Sequence, residues 1–294
     1  MIPFVFFNNK FDSLFEENGY PILLSAYKAE NKHSKLPRLM HMHDDKAEMV
    51  FIRAGKGTHI IGTDTYATKK GDILIFNSGI THDECMHTDT AMSIYYCAFT
   101  NLKFKNMPTN HLVPPLCRPV IESGKYFNEV ETLIRMMYNQ ALPRDEFSEE
   151  LANYLLRSLI VLIAKLSAND QELLLPEENM LGQRVKDYID KHYMEDLTLA
   201  GISEVVGANQ YYLSHIFKRF MKYSPMQYLM RRRIGEAQSL LLNSKHSITD
   251  IAIKVGYNNP NYFHKLFMRI VGMPPMRYRK LYFIKTDIPP TEEQ

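Results

Sequence analysis

The side chains best suited to chemistry in this sequence are histidines and a glutamate in the first third of the chain. His41 and His43 stand two positions apart, Glu48 follows them, and His82 comes later in the same region. Three imidazoles and one carboxylate suit Zn, Fe, Mn or Ni and leave coordination positions open for another molecule. The residue types therefore indicate a metal site or a polar pocket, provided that the fold brings these residues together.

The spacing around these residues resembles the two sequence motifs of the cupin family. The first motif, His-x-His-x4-Glu-x6-Gly, matches residues 41–55. The second, Gly-x5-Pro-x-Gly-x2-His, matches residues 71–82, but Asn77 replaces the proline and Met86 stands where this motif usually closes with Asn. In metal-binding cupins the four matching positions supply the ligands. The resemblance therefore implies one candidate divalent-metal site, formed by His41, His43, Glu48 and His82.

Three interpretations of this constellation stay open, because sensor domains of the cupin type often keep these residues without a metal. The cluster is a metal site, a pocket that holds a small molecule, or a purely structural network of hydrogen bonds. Further residue types nearby suit a polyhydroxylated or carboxylated ligand, although solvation or packing is the more common role of such residues. These further ligand candidates are Arg38, His59, Glu84 and Tyr96.

Short apolar segments separated by Gly, Asp and Asn predict the strands that must position the constellation. Regularly spaced short strands of this kind indicate a sandwich or a small barrel. Prolines in the segment 107–119 then mark an irregular connection that leaves the barrel. The predicted strands are residues 21–27, 47–53, 58–61, 73–76 and 91–99.

The last third of the chain contains one pattern that occurs twice, at an offset of 49 residues up to a central glycine and 50 residues after it. Each copy predicts a short helix, a glycine-centred turn and a second helix, which is the helix-turn-helix arrangement. A long helix that begins at Pro225 connects the copies. The first copy comprises Leu199, Ile202, Val206, Gly207, Tyr212, Leu213, Phe217, Pro225 and Tyr228, and the second comprises Ile248, Ile251, Val255, Gly256, Tyr262, Phe263, Phe267, Pro275 and Tyr278.

The charge of the chain is distributed unevenly and marks the same region as the binding surface for a polyanion. Residues 181–285 carry 17 Lys and Arg against 7 Asp and Glu, a balance of +10, whereas the whole chain carries only +2. Two helices on one rigid connector would reach successive major-groove faces about one helical turn (~34 Å) apart. The sequence therefore predicts double-stranded DNA as a partner.

The duplicated pattern, with the run Gly256–Phe267 and the closing segment Pro275–Arg279, resembles the tandem helix-turn-helix domain of the AraC/XylS family of bacterial transcription regulators. The resemblance implies an α+β protein. A cupin-like β-barrel with an antiparallel helical pair precedes an all-α domain whose two helix-turn-helix motifs are joined by a long helix. We predict a ligand-sensing and dimerisation domain over residues 1–167, a linker over 168–180 and a DNA-binding domain over 181–294.

A pair of amphipathic helices is predicted between the barrel and the linker, at residues 127–137 and 150–166. The second helix is apolar on more than one face, so it must bury against something besides its own barrel. In the AraC/XylS family an antiparallel helix pair of this kind forms the dimer contact. We therefore predict a homodimer through residues 147–166, and the alternative is that the helix only caps the barrel.

The second helix of each copy supplies the residues that are expected to read DNA. The base-contacting positions of the family fall on side chains that can bond to base edges, namely Tyr211, Ser214, His215, Lys218, Asn261, His264 and Lys265. Other basic and helix-start residues are expected to hold phosphates, which fixes register without choosing sequence. The phosphate candidates are Thr198, Lys222, Arg231, Arg232, Arg233, Thr249, Arg269 and Arg277.

These features together predict a sequence-specific transcription regulator that is controlled by a small molecule in the barrel. Family context favours activation, a sugar as the effector, RNA polymerase as a further partner, and residues 1–20 as a switch. The alternative is a metal-dependent cupin enzyme fused to a DNA-binding domain, for which only Glu84 and Tyr96 could supply an acid or base. A third interpretation is a DNA-binding protein whose barrel only dimerises. We predict no catalytic residues.

Length and composition predict a cytoplasmic protein, and the resemblance to the AraC/XylS family implies a bacterial protein associated with the nucleoid. The 294 residues are enough for two ordinary domains, each with its own core. Cys85, Cys97 and Cys117 form no CxxC pair, so we expect free thiols in a reducing compartment. The apolar segment 4–7 lacks a basic lead-in and is too short for a signal peptide or a membrane span.

Overall fold

The computed structural model describes most of the chain, including both regions that the sequence analysis singles out. The described residues are 12–30, 39–83, 92–114, 117–143, 145–168 and 178–286, with side chains of the last range described from 181 to 281. Two of the predicted ligand residues, Arg38 and Glu84, lie outside them. The other predicted features outside them include Cys85, Met86, residues 1–11 of the arm, the first residue of the predicted strand 91–99, residues 169–177 of the linker and residues 287–294 of the predicted DNA-binding domain.

Within the described residues, eight strands form two antiparallel sheets. The larger sheet has the order β1-β7-β2-β5-β8, and the smaller one has the order β4-β3-β6. The strands are β1 Ile22–Glu30, β2 Ala47–Ala54, β3 Lys56–Ile61, β4 Asp64–Lys69, β5 Asp72–Phe76, β6 His82–Asp83, β7 Ser93–Thr100 and β8 Val120–Glu122.

Side-chain alternation along the central strand β2 gives the larger sheet two different buried faces. Met49 and Phe51 point to the outer face, where they share one apolar core with the helices that follow the barrel. Val50 and Ile52 point to the inner face and belong to a second core with residues of β5 and β7. Glu48 has the same parity as Val50, so its carboxylate also points to the inner face.

Two helices joined by a short connection cover the outer face of the larger sheet. A 3-10 turn, Gly124–Tyr126, leads into α1 Phe127–Gln140, and α2 Glu146–Ser167 follows. Asp145 caps α2 by accepting a hydrogen bond from the Ser148 N–H at 3.0 Å. Leu156, Leu159 and Ile163 of α2 are fully buried in the outer core. The helix therefore does cap the barrel, and another stripe of its surface stays exposed.

Seven helices form the described part of the carboxyl-terminal region, and they make two modules. The connector α6 contributes to both cores, through Tyr228 in the first and Ile234 in the second. This arrangement confirms the predicted α+β class with two helix-turn-helix motifs on one long helix. The helices are α3 Glu178–His192, α4 Leu199–Val206, α5 Gln210–Met221, α6 Pro225–Asn243, α7 Ile248–Lys254, α8 Pro260–Val271 and α9 Pro275–Thr286.

The second helices of the two modules, α5 and α8, begin in the same way. The Asn209 side chain accepts hydrogen bonds from two backbone N–H groups of α5, and Asn259 does the same for α8. Asparagine at this position satisfies N–H groups that have no partner inside a helix. Before α5, Gly207 takes a left-handed φ of 67°, which glycine adopts without strain. The N-cap residues therefore fix where α5 and α8 begin and how each helix leaves the preceding turn.

Among the helices that the structure describes, none combines the length and the apolar character needed to cross a lipid bilayer.

Candidate nucleic-acid interface and histidine cluster

Helices α5 and α8 present exposed polar faces at matching positions. On α5 Tyr211 is 83% exposed and Ser214 is half-buried. Each helix buries its apolar stripe, for example Leu213 and Phe263, in the core of its own module. Every predicted base-contacting residue is therefore accessible at least in part. The exposed members of the set are Tyr211, His215, Lys218, Asn261, His264 and Lys265.

Five of the eight predicted phosphate-binding residues are exposed on the same region. Thr198 is the N-cap of α4 and accepts a hydrogen bond from the Gly201 N–H at 3.1 Å. Exposed cations and helix-start hydroxyls of this kind can bind phosphate without rearrangement of the fold. The exposed members are Thr198, Lys222, Thr249, Arg269 and Arg277.

The other three phosphate candidates are buried or half-buried, and each pairs with protein groups in this structure. Arg231 donates to Asp83 Oδ2 in the barrel at 2.8 Å. Arg232 is only 3% exposed and pairs with Glu236 at 2.9 Å. Arg233 donates to two backbone carbonyls between α3 and α4, at 2.6 and 2.7 Å. A phosphate contact by any of these three guanidinium groups therefore requires protein contacts to open.

The four residues of the cupin-like motifs lie together on the inner side of the barrel and are called the histidine cluster below. The Nε2 atoms of His82 and His43 lie 3.2 Å from the two oxygens of Glu48, and His41 Nε2 lies 3.9 Å from Glu48 Oε2. His41, Glu48 and His82 are buried, and their ligand atoms lie within 4.8 Å of one another. The structure thus places three donors in one compact set, with His43 beside it.

Backbone pairing positions two of these histidines. His41 and His82 form an antiparallel bridge in which each N–H donates to the carbonyl of the other, at 3.0 and 2.9 Å. Glu48 comes from β2, which lies in the other sheet. Phe76 of β5 stacks on the His82 ring with centroids 4.1 Å apart. Residues of both sheets therefore position the cluster. The Phe76 ring also contacts it, and Phe76 was not among the residues predicted from the sequence.

The second ring nitrogens fix how the imidazoles face Glu48. His41 Nδ1 lies 2.9 Å from the Leu39 carbonyl, and His82 Nδ1 lies 3.0 Å from the Ile80 carbonyl. Because a carbonyl only accepts, each Nδ1 carries the proton, and a neutral ring then turns the lone pair of Nε2 toward the carboxylate. A lone pair and a carboxylate repel each other. The arrangement therefore needs a proton on an imidazole Nε2 or on the carboxyl group, or a positive charge close to Glu48.

Lys46 supplies part of this positive charge and was missed by the sequence analysis. Its Nζ lies 2.8 Å from Glu48 Oε1, and its side chain is 18% exposed. The residue stands two positions before Glu48 on the approach to β2, where a lysine in sequence is more often a solvated surface residue. No pattern in the sequence distinguishes it from the other lysines of the chain.

The two other described ligand candidates already have protein partners. His59 is 3% exposed, and its Nδ1 lies 3.0 Å from the Thr68 hydroxyl oxygen. Burial lowers the pKa of His59 to about 4. Tyr96 is 3% exposed and stacks on Tyr27 with ring centroids 4.4 Å apart. Both contacts are compatible with packing, and a role of either residue in ligand binding stays a prediction.

Comparisons with known proteins agree with the helix-turn-helix region and with the cupin-like barrel. Residues 202–281 match a helix-turn-helix domain family, and residues 32–98 match a cupin domain family. The chain is 27% identical over 246 residues to the uncharacterized HTH-type transcriptional regulator YdiP of Escherichia coli K12, over 82% of this chain and 81% of YdiP. It is 25% identical over 285 residues to the HTH-type transcriptional activator RhaR of Yersinia pseudotuberculosis serotype O:3, over 90% and 92% of the two chains. This chain is a transcription regulator of the AraC type.

The family assignment confirms the predicted DNA-binding regulator, and the names of both relatives favour it over the alternative of a cupin enzyme. Among solved structures, ToxT of Vibrio cholerae strain SCE256 with a bound unsaturated fatty acid is similar over 90% of this chain and 96% of ToxT. That similarity has a TM-score of 0.46 and 13% sequence identity.

In this AraC-type regulator, replacing His264 or Lys265 by alanine is expected to relax base preference. Both side chains are exposed on α8, so their removal leaves the module core intact. Losing a contact to a base edge weakens binding to a selected duplex by about 1–3 kcal/mol, while binding to random DNA changes little. The measurement is selection from a random duplex library, followed by fluorescence anisotropy at one fixed salt concentration.

Arg269→Ala is the matched control, because Arg269 is exposed on the same helix but is assigned to phosphate. This variant should weaken selected and random duplexes by similar factors. Equal losses on both kinds of DNA for His264→Ala and Lys265→Ala would show that the base assignment is wrong.

Proposed function

We propose that this AraC-type regulator responds to a small molecule that binds in the barrel at the histidine cluster. The observation that carries the proposal is the convergence of three Nε2 atoms on the Glu48 carboxylate, at 3.2 to 3.9 Å. Clusters of inward-facing polar groups on an otherwise apolar barrel wall are how small-molecule sites usually obtain specificity. A polyhydroxylated or carboxylated effector, such as a sugar, matches the imidazole nitrogens, which can accept from hydroxyl groups, and the Lys46 ammonium group, which can donate.

A divalent cation is a further occupant that this donor set fits. Imidazole nitrogens and a carboxylate suit Zn, Fe, Mn or Ni. The carbonyls of Leu39 and Ile80 hold the Nδ1–H groups of two imidazoles, as outer partners hold metal-binding histidines. His41, Glu48 and His82 would hold the cation, with His43 as a fourth ligand. When bound, it would offset the repulsion at Glu48 and present open positions to oxygen atoms of an effector.

Metal content tests the cation directly. Protein purified without a His tag and reconstituted with each metal should bind about one equivalent per chain, and His82→Ala should bind far less because a central donor is lost. His111→Ala is the control, since His111 lies in another loop, where its Nδ1 lies 3.1 Å from the Thr109 carbonyl oxygen. If the wild-type chain holds no stoichiometric metal after reconstitution, the cation is removed from the proposal and the effector alone remains.

Thermal stabilisation tests the effector. A molecule that binds only the folded barrel adds roughly 2.7 kcal/mol of stability when its concentration is 100 times its Kd. A panel of sugars and small carboxylates should therefore contain compounds that raise the Tm of wild type but not of His82→Ala. No stabilisation across a broad panel would favour a barrel that serves only for dimerisation.

Two further parts of the proposal concern how the regulator acts. The name of the similar RhaR protein, a transcriptional activator, supports activation and hence a contact with RNA polymerase. The division into residues 1–167, 168–180 and 181–294 is supported by the end of α2 at Ser167 and the start of α3 at Glu178.

The exposed stripe of α2 supports a homodimer. Positions three or four residues apart lie on one face of a helix, and here those positions keep large apolar side chains in solvent. Since the opposite stripe already packs on the sheet, a second copy of the chain is the proposed cover for this one. The exposed residues and their exposed fractions are Phe147 87%, Leu151 43%, Tyr154 53% and Val161 38%.

Leu151→Glu is expected to weaken the dimer by roughly tenfold or more, because a charge replaces an apolar side chain at the centre of the stripe. Sedimentation equilibrium over a range of concentrations measures the effect. Leu14→Glu is the matched control, since Leu14 is 53% exposed on the barrel outside α2. A wild-type chain that is monomeric at micromolar concentration would contradict the dimer.

A further inference from the structure

Two adjacent residues of the barrel domain enter the cores of the two helix-turn-helix modules. Leu39 is 1% exposed and belongs to the core of the second module, together with Ile234. Met40 is fully buried and belongs to the core of the first module, together with Tyr228. These two consecutive residues therefore contact both modules, which carry the predicted DNA-recognition helices α5 and α8.

Helix α6 receives this segment at a glycine. A Cβ atom at Gly235 would lie 1.9 Å from the Met40 carbonyl oxygen and 2.8 Å from the Leu39 carbonyl oxygen, so no side chain fits there. The Leu39 N–H donates to Gln238 Oε1 at 2.9 Å in a buried position, where loss of the acceptor would be costly. A glycine inside a helix usually has a packing reason, and here the reason is the backbone of residues 39–40.

A second segment of the barrel domain contacts the same region through polar side chains. Thr81 donates to Asp190 Oδ2 of α3 at 2.9 Å, and Lys186 pairs with the same carboxylate at 2.7 Å. Asp83 accepts from Arg231 of α6 at 2.8 Å. Thr81, Asp83, Lys186 and Asp190 are all less than 9% exposed. Residues 39–41 and 80–83 therefore form one docking surface, called the docking ledge below.

The docking ledge and the histidine cluster share their backbone. His41 and His82 belong to both, and they are paired with each other by two backbone hydrogen bonds. The Nδ1–H of His41 donates to the Leu39 carbonyl, and that of His82 donates to the Ile80 carbonyl. A movement of either imidazole toward or away from Glu48 therefore acts directly on the segments that hold α3 and α6.

On the basis of the proposed function, we propose that occupancy of the histidine cluster is transmitted through the docking ledge to the relative placement of the two recognition helices. A cation held by His41, His82 and Glu48 stiffens the ledge, which then holds α6 and both modules in one arrangement. Both helices must fit two groove faces at once, so a fixed arrangement favours the tandem site. Such coupling requires different contacts in the two states, and the ledge supplies them.

Cobalt(II) is the probe for this proposal, because its visible absorption reports binding by histidines. In the full-length wild-type chain, Co²⁺ should slow amide hydrogen exchange in residues 231–239 of α6 by about fivefold or more, the lower end of usual allosteric coupling. It should tighten binding to a selected tandem duplex by a similar factor. Gly235→Ala should still give a cobalt spectrum, because the His41–His82 backbone pairing lies within the barrel. It should lose both responses, because the new methyl group separates α6 from residues 39–40.

Gly201→Ala is the matched control, since it makes the same change inside α4, where a Cβ would meet only the Thr198 hydroxyl at 3.4 Å. It should respond to cobalt like wild type. Loss of its response would overturn the inference, because it would show that a glycine-to-alanine change in another helix abolishes the response equally well. If Gly235→Ala does not fold, Gln238→Met removes only the acceptor of the Leu39 N–H and takes its place.

The failures of the inference and of the proposed function give different results. A wild-type cobalt spectrum without any change in α6 exchange would overturn the inference and leave the histidine cluster intact as a site. Absence of a cobalt spectrum in wild type would refute the cation at the cluster, and the inference with it.

Discussion

Replacing Arg232 by alanine is expected to lower the free energy of unfolding by about 3 kcal/mol or more. The guanidinium is 3% exposed, pairs with Glu236 at 2.9 Å and lies 3.6 Å from Asp190. It also lies over the Tyr193 ring, 4.4 Å from the centroid. Alanine removes the positive charge that compensates the Glu236 and Asp190 carboxylates, of which Asp190 is buried. Urea unfolding at neutral pH, followed by circular dichroism, measures the loss.

Arg277→Ala is the control for this prediction, because Arg277 is exposed and was assigned to phosphate by the same sequence argument. Its stability should stay within about 0.5 kcal/mol of wild type. Its affinity should fall for all duplexes, and the slope of log affinity against log salt should decrease by about 1. If Arg232→Ala instead behaved like Arg277→Ala in both assays, the buried pairs would be unimportant and Arg232 would be a phosphate contact.

The second large predicted effect is a loss of folding stability at acidic pH that arises from His59. Burial lowers the pKa of this imidazole from 6.5 to about 4. Between these values the unfolded chain binds a proton at this residue and the folded chain does not, so stability falls as the pH falls through this window. From pH 7 to pH 4.5 the loss from this group is about 2.5 kcal/mol. Unfolding free energies measured in urea at the two pH values give the total loss for each variant.

His59→Gln should reduce that total loss by nearly this amount, because glutamine can hydrogen-bond to Thr68 but does not titrate in this range. His246→Gln is the control, since it makes the same substitution at an exposed position. An acid dependence of His59→Gln equal to that of wild type would show that His59 is protonated in the folded barrel.

The helix-turn-helix region could be predicted well because its signals are local and occur twice. The apolar spacing, Gly207 and Pro225 each act within a turn or two of helix, and the duplication supplies an internal check. The predicted helices agree with α4 to α8 to within a few residues. Tertiary contacts did not need to be known, because the periodicity of each helix already identifies the face that it buries.

Parts of the barrel were harder to predict because their strands are short or polar. Strand β4 reads Asp-Thr-Tyr-Ala-Thr-Lys, is largely exposed at the edge of its sheet, and lacks the apolar alternation that predicts a strand. Strands β6 and β8 have two and three residues, too few for any period. They are defined by pairing with distant partners such as β3 and β5, which the sequence does not specify locally.

The histidine cluster and the docking ledge illustrate the same limit within one site. The cluster could be predicted because its motif resembles a known family pattern. The ledge could not, since Leu39 and Gln238 are 199 positions apart and neither has an unusual neighbourhood in sequence. Gly235 was the one available signal, a glycine inside a predicted helix, and its meaning depends on a backbone from another domain. Likewise, burial of Arg232 cannot be read from a run of three arginines.

The position of Leu39 and Met40 has a consequence for how such regulators can be recombined. A chimaera joined within residues 169–177 would pair its carboxyl-terminal helices with a foreign barrel, whose own side chains would have to occupy the spaces that these two residues fill. Exchange of sensory halves between relatives is therefore constrained by the shape of residues 39–40, which lie about 130 positions before the junction. The two domains are separate in sequence, but a functional exchange requires that the contact residues of both domains fit each other.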